Sequence, residues 1–297
     1  MISIIVCSVN PELARKLELN IADKIGVPCE INFIDNSKNS RSITEVYNEG
    51  AAKSQFDVLV FVHEDVAFQT SNWGKLVLKL FHENDDLGVI GIAGAKYKSK
   101  AHSGWYTGIS EVDCCNVTHV DRIGKHQKIF LNPVKGNLLE HVVVIDGVFI
   151  ATKKNIWEKV RFNESLIKGF HFYDLDYSFR AAIISNVAVT LELDLIHFTE
   201  GGDFGDRWIE QSFIWEAAPL VKSNSPLFIK TINAEQIYYY EQKIIRTWLS
   251  FLMKQNISLK NRLKWLKQVG HLNCIKNFRS VVSFIAYPLA KNIGLIR

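Results

Sequence analysis

The segment ISIIVCS, Ile2–Ser8, is a β-branched run with no regularly polar face to turn toward water. Such a strand is buried on both sides, the situation of a sheet covered by helices on each face. The residues that follow carry the same message. Pro11 precedes Leu13, Leu17, Ile21 and Ile25, whose four-residue spacing makes one apolar helix face, and Gly26 ends it. Glu30–Ile34 reads as a second strand stopping at Asp35-Asn36-Ser37, Ile43–Ala52 as a helix, and Asp57–Val62 as a third strand. This β-α-β-α-β order predicts a mostly parallel central sheet with flanking helices.

Further along, Gly88–Ala93 and Val142–Ala151 are apolar enough to be strands. Leu166–Asp174 reads as an aromatic loop, Leu175–Ser185 as a helix, and Val187–Phe198 as a strand ending at His197. Between Tyr97 and Glu140 the pattern is weak, and loops or a small hairpin are expected. The 297 residues suffice for one large α/β domain with an extension or for two small domains. Charge locates the expected extension. From Gln242 onward there are 11 Lys and Arg and no Asp or Glu, whereas the first 241 residues hold 24 basic and 31 acidic side chains. We therefore expect a catalytic-type domain over 1–235 and a basic helical tail over 236–297, each meeting different partners. The five cysteines (Cys7, Cys29, Cys114, Cys115, Cys274) form no CxxC pair and point to a reducing compartment. MISIIVCSVN has no basic segment before its apolar run, so a strand is expected there rather than a signal peptide. No apolar run reaches the length of a membrane span.

In an open α/β sheet, ligands bind beyond the carboxyl ends of the strands. Asp35-Asn36 sits at such an end and is either a nucleoside contact or a turn. His63-Glu64-Asp65 follows the run DVLVFV. Alternation places His63 and Asp65 on one side, where an imidazole and a carboxylate could hold Mg²⁺ or Mn²⁺; the ordinary alternative is a helix cap. His171-Phe172-Tyr173-Asp174-Leu175-Asp176 opens a helix with two carboxylates, one more than a cap needs, and offers a general base. His197, before Thr199-Glu200-Gly201-Gly202, is a metal or diphosphate contact or a satisfied polar strand end. Gly88, Gly91 and Gly94 give room for close backbone approach, by a sugar in the functional reading. A phosphate-binding Walker loop, a GxGxxG after the first strand, a GxSxG elbow and zinc-type Cys/His spacing are all missing.

In this order, SIIVCSVN, FIDNS, VFVHEDV, VIDGVFIATKK, GFHFYDLDYSFRA and LIHFTEGG resemble family 2 glycosyltransferases, over roughly residues 1–220. The likeness is to a bacterial branch with HEDV where most relatives have DxD. The resemblance implies the GT-A fold and a nucleotide-sugar donor transferred by inversion to a glycan or lipid-linked acceptor, as in surface polysaccharide synthesis. It implies donor contacts at Ser8, Asp35, Asn36, Glu64, Asp65, Gly94, Asp146 and Gly147. It places a divalent metal, Mn²⁺ or Mg²⁺, on Asp65, His63 and His197. Asp174 takes the place of the catalytic Asp, with Asp176 beside it, and Trp105, His171 and Tyr173 face the acceptor. His63 departs from the usual first acid of DxD, and Tyr173 from the usual Glu.

Aromatics among the tail's cations (Trp248, Phe251, Leu252, Met253, Trp265, Phe278, Phe284, Tyr287) suit an interfacial helix on an anionic membrane. That implies a cytoplasmic protein, peripheral on the inner face of the cell membrane, rather than a nucleic-acid binder; a homo-oligomer is left open. Docking of the tail on the acidic body is the alternative. Two competing functions remain at this level: a catalytically silent sugar-nucleotide module attached to the membrane, and a nucleotidyltransferase. The second is disfavoured because no Gly-rich basic loop follows the first strand.

Overall fold

The computed structural model describes residues 1–38, 41–199, 202–229, 231–270 and 281–287. In chain order its elements begin with β1 (Ile2–Ser8), α1 (Pro11–Lys24), β2 (Cys29–Asp35), α2 (Ile43–Lys53), β3 (Val58–Val62), β4 (Val66–Phe68), α3 (Trp73–Glu83), β5 (Leu87–Gly91), β6 (Ala93–Ala95), β7 (Tyr97–Lys98), β8 (Asp113–Val120) and β9 (His126–Leu131). They continue with β10 (Leu139–Val142), β11 (Val144–Ile145), β12 (Phe149–Lys153), α4 (Lys154–Val160), α5 (Tyr173–Ala181), β13 (Asn186–Thr190), β14 (Leu195–Phe198), α6 (Asp206–Ala217), α7 (Pro219–Asn224), β15 (Leu227–Phe228), α8 (Ala234–Met253) and α9 (Leu259–Val269).

The chain forms two compact units, Met1–Lys96 with Ser110–Gly201, and Tyr97–Ile109 with Gly202–Arg297. This differs from the expected division after residue 235. The short segment 97–109 joins the C-terminal unit because β7 pairs with β15 and because Tyr97 and Ser99 hydroxyls donate to the buried Glu241 carboxylate at 2.6 and 2.7 Å.

In the first unit, a seven-stranded sheet has the order β10-β13-β5-β12-β3-β1-β2. β1 lies parallel between β2 and β3, as its apolar run requires. Local signals set the helices between them. The Asn10 side chain accepts from the Glu12 backbone N–H at 3.0 Å and Pro11 opens α1, whose Leu17 and Ile21 are buried. Ser42 and Glu45 form a capping box on α2. The sheet is mixed rather than mostly parallel, because β12 runs antiparallel to both β3 and β5, and β10 antiparallel to β13. No crossover helix precedes β12. It is reached through the three-residue turn Asp146-Gly147-Val148.

A second sheet, β11-β6-β8-β14-β4, carries β9 on the edge of β8. Three apolar runs expected as single strands each change sheet. Gly88–Ala93 is split between β5 and β6, Val142–Ala151 between the end of β10, β11 and β12, and Val187–Phe198 between β13 and β14. The weakly patterned stretch holds an antiparallel hairpin, β8–β9, that is part of this sheet. Close sheet packing also explains the glycines. A Cβ on Gly94 would lie 2.3 Å from the Val144 carbonyl oxygen, and one on Gly91 would press on Ile145. Room at Gly94 is thus taken by β11, not left for a sugar.

In the second unit, α8 turns Tyr240, Glu241, Ile244, Ile245, Trp248, Leu249 and Leu252 inward. Trp208 and Trp248 stack at 5.0 Å, and Trp265 packs on Phe284 at 5.7 Å. The Arg262 guanidinium is buried and donates to the carbonyls of Ile257, Gln255, Met253 and Phe284 at 2.7 to 3.2 Å. Trp248, Leu252, Trp265 and Phe284, expected in a headgroup layer, are therefore core residues, and Arg262 is a structural cation. Phe251 is exposed, whereas Met253 and Tyr287 are half-buried. Phe278 and Cys274 lie outside the described residues. Among the described residues no helix is long and apolar enough to cross a membrane.

Gly94→Ala is expected to cost about 1–3 kcal/mol through overpacking, seen as a lowered denaturation midpoint with the far-UV circular dichroism preserved.

Candidate functional site

The site begins where β3 ends. The His63 N–H donates to the Val148 carbonyl at 3.3 Å, which ties the turn before β12 to the exit of β3. β4 pairs antiparallel with β14, setting His197 opposite Val66, and the Phe198 N–H donates to the Asp65 carbonyl at 2.9 Å. Three side chains separated by up to 134 positions are thereby brought together. His197 Nε2 lies 3.4 Å and His63 Nδ1 3.9 Å from Asp65 Oδ1, and one donor atom from each falls within 4.8 Å of the others. Burial, and then the neighbouring His197, push the His63 imidazole down to about 4, so it is neutral at neutral pH. Burial raises the Asp65 carboxyl, but the hydrogen bond and charge of His197 outweigh it and hold the group below its usual range.

The start of α5 supplies the second half. Tyr173 is buried, its hydroxyl 2.7 Å from His63 Nε2 and 3.1 Å from the Gly147 carbonyl oxygen, to which it donates. Gly147 is required by that approach, since a Cβ there would stand 2.0 Å from the Tyr173 oxygen. Asp174 is half-buried, and each of its oxygens accepts a backbone N–H at 2.9 Å, from Gly147 and from Leu175. Despite those donors, burial and the charge of Asp146 push the Asp174 carboxyl up to about 7. Asp146 also acts on His63, so the histidine cluster and Asp174 share one electrostatic environment.

The arrangement is a candidate cation cluster beside a carboxyl poised to exchange a proton near neutral pH, beyond the end of a central strand. A family model described as "Glycosyltransferase like family" matches residues 3–193, well over half of the chain. The chain belongs to the glycosyltransferase-like family. Two solved structures share its fold. S. aureus TarS 1–349 in complex with UDP-GlcNAc is similar at a TM-score of 0.54 and 9% identity, over 99% of this chain and 92% of that one. GalNAc-T7 with UDP, GalNAc and Mn²⁺ is similar at 0.52 and 9% identity, over 98% of this chain and 57% of that one. No curated protein matches in sequence. The fold is the GT-A fold anticipated from the motifs.

Within this glycosyltransferase-like chain, the expected residues divide into those that face the site and those that build it. His63, Asp65, His197, Asp146 and Asp174 converge as described. Asp35 is exposed, lowered by the Ser37 N–H, and lines an open cleft with Arg15 and Phe33. Glu64 is a structural residue. Its buried carboxylate accepts from the Ser8 hydroxyl at 2.9 Å and from the Val9 and Asn10 N–H groups at 3.2 Å, fastening the β1–α1 turn to β3. Ser8 is consumed in that contact. Asn36 spans its own loop, accepting from the Arg41 N–H and donating to its carbonyl.

Asp176 is corrected from a catalytic to a structural role: it is 1% exposed and accepts from Arg180 Nε at 2.8 Å, while Arg180 also holds the Val160 and Arg161 carbonyls. Tyr173, expected to face the acceptor, is buried behind His63. His171 is half-buried, and Trp105 belongs to the second unit. Two site residues escaped the sequence. His119 stands opposite His197 across β8 and β14, with ring centroids 5.5 Å apart. Phe170 is 54% exposed with its ring 5.4 Å from that of His63. His119 lay in the stretch without clear periodicity, and exposure of an aromatic cannot be read from composition.

Glu64→Gln puts an amide N–H where the carboxylate now receives three donors. A loss of about 1–3 kcal/mol is expected in urea or thermal unfolding.

Proposed function

We propose that this protein transfers a sugar from a nucleotide-sugar donor to a hydroxyl of a glycan or lipid-linked glycan, with inversion at the anomeric carbon. The observation that carries this reading is the Asp174 carboxyl, raised to about 7 and set beside Asp146 and the histidine cluster. A base tuned near the working pH combines a useful ionised fraction with a strong pull on the acceptor proton. Asp174 takes the hydroxyl proton, the acceptor oxygen bonds to the anomeric carbon, and the bond from that carbon to the diphosphate oxygen breaks. The nucleoside diphosphate leaves with the electron pair. Asp35 and the cleft beside it receive the nucleoside, and the exposed Phe170 ring offers an apolar face to the acceptor sugar.

A divalent ion, Mn²⁺ or Mg²⁺, fits His63, Asp65 and His197, whose donor atoms converge from two segments of the chain to within 4.8 Å of one another. When bound, such an ion supplies positive charge to the departing diphosphate. The likeness in fold to TarS with UDP-GlcNAc and to GalNAc-T7 with UDP and Mn²⁺ supports trying UDP-sugars first. The alternative is a catalytically silent sugar-nucleotide module.

Titration calorimetry with UDP-, dTDP-, GDP- and CMP-sugars, with and without Mn²⁺, is expected to reveal metal-dependent binding of one nucleotide class. Binding of none would overturn the donor reading, and binding without transfer would favour the silent module. Asp174→Asn is expected to lower kcat by about 10²–10⁴-fold while leaving donor affinity nearly unchanged. The wild-type rate should climb as pH rises through about 7, because the base acts only when ionised. An unchanged rate in the variant would remove Asp174 from this role.

We also propose that the protein works on the inner surface of the cell membrane. Support comes from α9, which leaves Leu259 and Leu263 exposed beside Lys260 and Lys267. Each lysine near an anionic surface contributes about 1 kcal/mol. Sedimentation with phosphatidylglycerol vesicles is expected to capture the wild type, and Lys260→Glu with Lys267→Glu to release it. Equal capture of both proteins would overturn the attachment.

A further inference from the structure

From Arg122 to Leu139 the chain holds four Lys or Arg residues, one His and no Asp or Glu, although the first 241 residues are acidic in balance. The same stretch exposes four large apolar side chains: Ile123 at 87%, Phe130 at 52%, Val134 and Leu138. Ile123 is the most exposed large apolar side chain among the described residues. Neither core packing nor the candidate site explains this combination. β9, at the centre of the stretch, is an edge strand, and among the described residues it pairs with β8 alone. Phe130 shares a face with Lys128 and His126, all exposed, opposite the half-buried Ile129 and Leu131.

The turns at the two ends of β9 are held by hydrogen bonds. Asp121 Oδ1 accepts from the N–H groups of Ile123 at 3.1 Å and Lys125 at 2.9 Å, and Gly124 takes a left-handed φ of 76°. Asn132 Oδ1 accepts from the Val134 N–H at 3.1 Å, the Asn137 N–H donates to the Val134 carbonyl at 3.0 Å, and Gly136 has a φ of 86°. A Cβ on either glycine would meet nothing within 4 Å among the described residues, so both tips stand clear of their surroundings. Each tip thus carries one aliphatic side chain, Ile123 or Val134, with a lysine one or two residues on, Lys125 or Lys135. A tip already fixed in its conformation loses little freedom when it binds.

We propose that the β8–β9 hairpin and the turn after β9 form a membrane-contact finger of the first unit, with Ile123 and Val134 entering an anionic lipid surface and Lys125 and Lys135 meeting its headgroups. An anionic bilayer offers both halves of what the finger presents, a layer of negative charge over an apolar layer. A soluble polyanion would meet the lysines and leave Ile123 and Val134 in water. Lys128 adds less, because it is held by Asp194 at 2.7 Å. This contact rests on the protein's place at the membrane and extends it to the unit that carries the site. His119 stands opposite His197, and the next residue of β8, Val120, pairs with His126 and accepts from the Thr199 N–H at 3.0 Å. Four residues separate His119 from Ile123, at most about 14 Å of chain. Lipid touched by the finger therefore lies next to the candidate site, where a lipid-linked acceptor has to arrive.

Hydrogen–deuterium exchange of the full chain, with phosphatidylglycerol or phosphatidylcholine vesicles, tests the contact without turnover. Exchange in 122–138 is expected to slow with phosphatidylglycerol and to stay unchanged with phosphatidylcholine. In sedimentation, Ile123→Asp with Val134→Asp is expected to weaken binding to phosphatidylglycerol vesicles by about 10-fold or more. Lys125→Glu with Lys135→Glu is expected to weaken it by about 10-fold. All four side chains are exposed, so both variants keep the fold, which circular dichroism checks. Full vesicle affinity in either variant would overturn the proposal. So would slowing of 122–138 by soluble heparin and not by vesicles, which gives the surface to an acidic glycan. Slowing that grows with protein concentration in the absence of lipid gives it to a second copy of the chain, and also overturns it. Capture by vesicles with 122–138 unprotected defeats this contact and leaves the attachment through α9. Protection of 122–138 with equal capture of the Lys260→Glu, Lys267→Glu variant removes α9 and leaves this contact. No capture at all defeats both.

Discussion

The antiparallel pairing of β12 with β3 is the constraint on which the site depends. Its register sets Phe149 against Val62, so the turn Asp146-Gly147-Val148 arrives beside His63-Glu64-Asp65. The hydrogen bond from His63 to the Val148 carbonyl closes that junction. Shifting the pairing by one residue would invert every side chain of β12 between the two faces of the sheet and carry Asp146 away from Asp174. A two-faced buried sheet resists such slippage, because both faces of β12 are apolar and packed.

Within this frame, neighbouring residues of one tripeptide serve opposite purposes. Glu64 turns under the sheet end to gather the Ser8 hydroxyl and two backbone N–H groups, while His63 and Asp65 turn toward His197. The division falls at a turn, Glu64-Asp65, between β3 and β4. A similar split occurs at the start of α5. Asp174 faces the shared site through Gly147, and Asp176, two residues on, is drawn into an ion pair with Arg180. In each case a carboxylate that is fully engaged by donors builds the site, and one with spare capacity is left for chemistry.

The second unit uses its charges in an analogous way. Arg262 is surrounded by carbonyl oxygens and closes the turn after α8, and Lys98 pairs with Glu216 in the interior at 2.7 Å. A buried ion tolerates this only with its hydrogen bonds satisfied. The positive balance of residues 242–297 is therefore partly structural; among the described residues, Arg246, Lys254, Lys260, Lys264 and Lys267 are exposed.

Much of the fold was legible in the sequence because burial imposes period. The β-branched run of β1 and the four-residue spacing of α1 each prescribe local structure without reference to the rest of the chain. His63, Asp65, Asp174 and His197 were legible as polar groups at strand and helix ends, and Asp146 through the family resemblance. What the sequence could not determine is which of two sheets an apolar run enters, since a run buried on all sides carries no period to mark where it crosses. That choice splits β5 from β6, β11 from β12 and β13 from β14, and makes the central sheet mixed. Only tertiary structure could separate Asp174 from Asp176, or turn Glu64, Tyr173 and Gly94 from ligand contacts into supports. Identical residue types take different roles according to which donors surround them, and those donors come from segments far apart in the chain.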